Sequence, residues 1–120
     1  MSGKVVHFEI PYDDGDRARA FYGDTFGWQL MPMPDLGYTI VMTGPTDPEK
    51  GATEPGFING GMFERTADFP GKAPNIVIDV TSIDDALRKV EDLGGAIVHP
   101  GENWSICRDS EGTPFALARA

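Results

Sequence analysis

Apolar and polar residues alternate over residues 4–10, with Val6, Phe8 and Ile10 on one side and Val5, His7 and Glu9 on the other, the period of a β-strand. A helical pattern follows. Asp13 and Asp14 offer an N-cap, Ala18, Phe21, Tyr22 and Phe26 recur at helical spacing, and Gly27 supplies a left-handed stop. Residues 28–31 read as a short strand ended by Pro32 and Pro34, and residues 38–43 as another, rich in β-branched and aromatic side chains. The stretch 44–56, with Pro45, Pro48, Gly51 and Pro55, is a loop, either a lid or a solvated insertion. A strand resumes over 57–64 through Asn59-Gly60-Gly61, where paired glycines signal a bulge or close approach by another group.

After a second loop over 64–73 the pattern restarts. Residues 75–80 form a strand, and Ser82 with Asp85 resembles a capping box. Ile83, Ala86, Leu87, Val90 and Leu93 lie on one apolar helix face before Gly94-Gly95. Strands over 96–99, 104–108 and 114–118 complete the chain, with Asp109-Ser110-Glu111-Gly112 as the last turn. The order is βαβββ twice. The halves align without a gap at an offset of 68 residues, which sets Phe8 on Ile76, Ile10 on Ile78, Ala18 on Ala86, Gly27 on Gly95 and Pro32 on Pro100. The fold class expected is α+β, with two tandem βαβββ modules, 1–66 and 73–120, forming a curved mixed sheet around a shared cavity.

At 120 residues and 40% hydrophobic content, the two modules should pack as one domain. Ten Lys and Arg against nineteen Asp and Glu give a net charge of −9, which argues against a nucleic-acid partner. The acidity reads first as solubility and second as attraction for a cationic ligand. No apolar run is long enough to span a bilayer and no signal-peptide pattern opens the chain, so a cytoplasmic protein without membrane contact is expected. Cys107, the single cysteine, excludes an internal disulfide and a cysteine-based zinc cluster, and reads as a small buried hydrophobe.

The chain resembles the vicinal oxygen chelate superfamily, which includes glyoxalase I, bleomycin-resistance proteins and extradiol dioxygenases. The resemblance rests on His7-Phe8-Glu9-Ile10-Pro11 leading to Phe21-Tyr22 and Phe26-Gly27-Trp28, and on Asn59-Gly60-Gly61-Met62. It continues through Ile83-Asp84-Asp85-Ala86, Leu93-Gly94-Gly95 and the ending from Asp109 to Leu117. It implies a glyoxalase/bleomycin resistance-like fold, often within a homodimer that exchanges modules. It also implies, in metal-dependent members, a divalent ion held by a ligand on the first strand of each module and a carboxylate on the last. His7 matches the first of these positions. Its counterpart is Asn75, the second-module carboxylate falls on Ala116, and its first-module equivalent falls around Gly61 or Met62.

With one family donor in place, no cofactor is expected, a divalent metal at a rearranged site being the alternative. His7 and Glu9, two residues apart on one strand side, form an acid/base pair or, in the plainer reading, a local hydrogen bond and a solvated carboxylate. Trp28, Tyr38, Met42, Met62, Trp104 and Phe115 are large side chains that line a ligand cavity or pack as core, and Met31 and Met33 sit beyond one strand. Asn59 and Asn75 are polar anchors or strand-end residues. The function expected is small-molecule binding without the family metal, in a homodimer. The alternative is a lyase, isomerase or dioxygenase of the glyoxalase type, with a rearranged metal site or His7/Glu9 acid/base chemistry.

Overall fold

The computed structural model describes residues 3–67 and 71–119. Residues 68–70 of the second expected loop and the extreme ends of both expected modules lie outside the described residues. The chain divides into two compact units, one running His7–Pro74, the other joining Asn75 onward to the N-terminal residues up to Val6.

In the first unit, β1 (Val5–Tyr12, whose first two residues belong to the second unit) leads into α1 (Gly15–Phe26). Then come β2 (Gln29–Met33), β3 (Tyr38–Met42), the two-residue strands β4 (Thr46–Asp47) and β5 (Gly51–Ala52), and β6 (Gly60–Glu64). The Asp14 carboxylate caps α1 by accepting from the Arg17 N–H at 3.0 Å, and Gly27 ends it at φ 73°. The strand order is β2-β3-β6-β1, with β1 and β6 parallel and the other neighbours antiparallel. β2 runs through Pro32, where the sequence pattern predicts its end. It is an edge strand with one partner, and an edge tolerates a residue that has no N–H to give.

The second unit repeats the plan. β7 (Asn75–Val80), α2 (Ile83–Asp92), β8 (Ala96–His99), β9 (Trp104–Arg108) and β10 (Pro114–Arg119) give the order β7-β10-β9-β8, with β7 and β10 parallel. Ser82 Oγ caps α2 by accepting from the Asp85 N–H at 3.2 Å. Ile83, Ala86 and Leu87 pack against Val80, Cys107 and Leu117, and this cluster is the unit's core. Truncating a buried leucine such as Leu87 to alanine costs about 2–5 kcal/mol. Leu93, expected on the same apolar face, follows the last helical residue and is 78% exposed, because the turn through Gly94 carries it off the helix surface. The fold is thus α+β and βαβββ in both halves. Among the described residues no helix is long and apolar enough to cross a membrane.

Candidate functional site

Strand periodicity and register define the two faces of the first unit's sheet. Glu9 pairs with Gly61, Gly61 with Ile40, and Ile40 with Met31, forming one row across all four strands. The neighbouring row is Pro11, Phe63, Tyr38 and Met33. Alternation puts His7, Glu9, Tyr38, Ile40, Met42, Met31 and Met33 on one face. The other face carries Phe8, Ile10, Thr39, Val41 and Met62, of which Thr39, Val41 and Met62 are fully buried. Phe8 joins an aromatic cluster there, in which Trp28 stacks on Tyr22 of α1 at 4.9 Å and 4°.

Three polar side chains meet on the first face. The Tyr38 hydroxyl donates to Glu9 Oε1 at 3.1 Å, His7 Nε2 lies 3.1 Å from the Tyr38 oxygen, and Nε2 is 3.3 Å from Glu9 Oε1. A phenol has one hydrogen. With it directed at Glu9, the Tyr38 oxygen accepts from His7, which places an imidazole hydrogen on Nε2. The His7 and Glu9 side chains are 34% and 23% exposed, so the group is sheltered yet reachable. Burial, the Glu9 charge and the hydrogen bond to Glu9 together hold the Tyr38 hydroxyl well above the usual tyrosine range. Tyr38 therefore stays a donor at every physiological pH. Glu9 Oε2 is buried and has no hydrogen-bond partner.

The paired glycines explain how Tyr38 arrives. A Cβ at Gly61 would fall on the Tyr38 hydroxyl, and one at Gly60 would stand 2.6 Å from the Phe8 ring on the opposite face. The register across Gly60 and Gly61 is unbroken, so the close approach that the sequence signals is made by the Tyr38 ring at Gly61 and by the Phe8 carbonyl and ring at Gly60, without a bulge.

The other expected site residues are placed as follows. Met42 ends β3 on the Tyr38 side, whereas Trp28 and Met62 belong to the α1 side of the sheet. Asn59 is occupied in the loop, where Oδ1 accepts from the Thr43 N–H at 2.9 Å and Nδ2 donates to Thr46 Oγ1 at 2.8 Å. In the second unit, Phe115 packs against the α2 core, while Asn75 and Trp104 lie on the face turned from α2. Trp104 is exposed and its ring lies 5.8 Å from that of His99. Cys107 is fully buried and desolvation raises its thiol pKa, as befits a small hydrophobe. Sequence reasoning missed Ile40 and Gly61 as parts of the Tyr38 face. The signal for Ile40 was its period-two spacing between Tyr38 and Met42.

A divalent ion of the kind the resemblance implies needs three or four donors at one point. His7 and Glu9 supply two, and Ala116 and Gly61 supply none. Among the described residues no group of three His, Cys, Asp or Glu side chains comes together. This donor set does not fit the family metal.

A family model described as bleomycin resistance protein-like N-terminal matches residues 4–44. A glyoxylase-like domain-containing protein of Didymella fabae is 30% identical over 126 residues, covering 98% of this chain and 94% of the relative. Among solved structures, a Streptomyces coelicolor methylmalonyl-CoA epimerase in complex with 2-nitronate-propionyl-CoA superposes with a TM-score of 0.65 at 17% identity, covering 100% of this chain and 99% of the other. A glyoxalase/bleomycin resistance protein/dioxygenase superfamily member from Vibrio splendidus gives 0.62 at 16% identity, with 98% and 99% covered. At such identities the two structures speak for the fold alone.

Proposed function

Given that the chain belongs to the glyoxalase/bleomycin resistance-like family, we propose that it binds a small molecule through His7, Glu9 and Tyr38 rather than through the family metal. The carrying observation is the hydrogen-bonded cluster of these three side chains on an otherwise mostly apolar sheet face. Ligand sites have this composition, a mostly apolar wall with a few convergent polar groups. Met42, Ile40, Met31 and Met33 extend that wall. A cytoplasmic homodimer belongs to the same proposal.

The distance of 3.3 Å between His7 Nε2 and Glu9 Oε1 favours a second reading, proton-transfer catalysis. Glu9 would steady the imidazole while Nδ1 takes a proton from the substrate. Methylmalonyl-CoA epimerases share this fold, so deuterium uptake from D2O into methylmalonyl-CoA tests the second reading directly. Uptake abolished by His7→Ala makes the protein an enzyme.

Two measurements test the first reading. In a thermal-shift screen, ligands of the native protein raise its melting temperature, and Tyr38→Phe weakens that response. Elemental analysis of protein purified without chelator should give no stoichiometric transition metal. About one ion per chain, lost in His7→Ala, would overturn the metal-free reading.

A further inference from the structure

We propose that the ligand of the His7–Glu9–Tyr38 face is an apolar amine, its ammonium held at Glu9 and its hydrocarbon or aromatic body laid along Ile40, Met31, Met33 and Met42. This rests on the preceding proposal that the face binds a small molecule, and it names the chemical class.

Charge makes the first argument. The unit His7–Pro74 has five Lys and Arg residues, and none of them serves this face. Arg19 reaches the buried Thr39 hydroxyl on the opposite side at 3.0 Å, and Lys50 sits in the turn between β4 and β5. Arg17, Arg65 and Lys72 line a groove of about 390 Å³ beside the first turn of α1, where Arg65 is paired with Asp13 at 2.6 Å. Sites for phosphates and carboxylates are built on Arg and Lys, and here their place is taken by a carboxylate. An anion brought to Glu9 would meet a like charge, in a chain of net charge −9.

The second argument is unmet hydrogen-bonding capacity. Glu9 Oε1 takes the Tyr38 hydroxyl and faces His7, whereas Oε2 is desolvated and has no donor. A carboxylate with one oxygen desolvated and unpartnered is costly to keep charged, and an ammonium drawn to the solvent-reachable side of Glu9 supplies the compensating positive charge.

The third is the apolar run in register with Glu9. Along the row Glu9, Gly61, Ile40, Met31, the backbone spacing of adjacent strands sets a length of roughly 14 Å. Gly61 gives its space to the Tyr38 ring, and Ile40 and Met31 continue beyond it. Unbranched thioethers adapt to varied apolar shapes and attract aromatic rings, and Met31 and Met33 are exposed.

The test uses three matched probes on the whole protein, namely 2-naphthylmethylamine, 2-naphthylmethanol and 2-naphthoate, followed by calorimetry and by spectra of 13C-methyl-labelled methionine. The amine should bind about tenfold or more tightly than the alcohol, as a charge-assisted bond implies, and the carboxylate most weakly. Glu9→Gln should bring the amine to the affinity of the alcohol. In the unmutated protein the amine should shift the Met31, Met33 and Met42 methyls while leaving Met62, on the α1 side, in place. That second readout decides the matter if Glu9→Gln does not fold. Carboxylate binding at least as tight as amine, with the same methyls shifted, overturns the amine assignment and keeps the binding face. Absence of binding by all three, or shifts confined to other methyls, overturns both.

Discussion

The hydroxyl of Tyr38 occupies the space that a side chain at residue 61 would fill, and only glycine leaves that space open. Tyr38 stands one row away from Gly61 along the sheet, and its ring leans across the glycine to reach Glu9. Glycine in a strand weakens the strand, and the leaning ring covers the exposed backbone in return. Gly61→Ala should therefore displace Tyr38 and break both of its hydrogen bonds. A loss of about 1–3 kcal/mol in denaturant unfolding is expected from overpacking, together with weakened probe binding. A variant as stable as the parent, with the Tyr38 resonances unmoved, would contradict this geometry.

Tyr38→Phe keeps the ring and removes the hydroxyl, leaving Glu9 Oε1 without its tyrosine donor. A cost of about 1–3 kcal/mol is expected for a buried acceptor deprived of its partner. The variant also reports on pH. Folding raises the Tyr38 pKa above the ordinary tyrosine value of 10.0, so the folded protein holds that proton more tightly than the unfolded chain does. The resulting stability is fully present below pH 10.0 and declines as pH rises past that value, where only the unfolded chain ionises. Stability curves should fall above that pH in the parent, and more shallowly in Tyr38→Phe. Parallel slopes would show that another group is responsible.

Cys107 should be inert in the native state. Its burial within the α2 cluster raises the thiol pKa from 9.0, and the thiolate is the reactive form. A chromogenic disulfide reagent near neutral pH should report no fast thiol before denaturation and one per chain after it. Rapid reaction of the folded protein would place Cys107 at the surface.

Asn59 binds the two ends of its loop together through Thr43 and Thr46. Phe57 adds to this by packing so closely on Gly44 that a Cβ there would lie 2.8 Å from its ring. Asn59→Ala removes both side-chain bonds and should cost about 1–3 kcal/mol. Limited proteolysis should then cut faster between Gly44 and Gly56, while amide exchange in β9 and β10 stays unchanged. Asn59→Asp restores the acceptor for Thr43 but not the donor to Thr46, so an intermediate cleavage rate is expected.

Much of the architecture was legible in short-range pattern. Period-two alternation located β1, β3 and β7. The Asp14 and Ser82 caps located both helix starts, and the offset alignment predicted a common plan for the two halves. Alternation also put His7 and Glu9 on one side of β1, because strand geometry alone decides which residues share a side.

Periodicity does not say which side a helix covers. By periodicity Trp28, Met62 and Phe115 either line a cavity or pack as core, and all three lie on helix-facing sides, whereas Tyr38 and Met42 lie on the other side of their sheet. Nor can it join residues distant in the chain. Tyr38 meets His7 across 31 positions because β6 inserts between β1 and β3, aligning Gly61 with Glu9 on one flank and with Ile40 on the other. The sequence by itself determined the strands, the helix caps and the His7/Glu9 pair, all of which depend on contacts between near neighbours. Strand pairing, a property of the assembled sheet, decided that Tyr38 completes that pair and that Gly61 makes room for it.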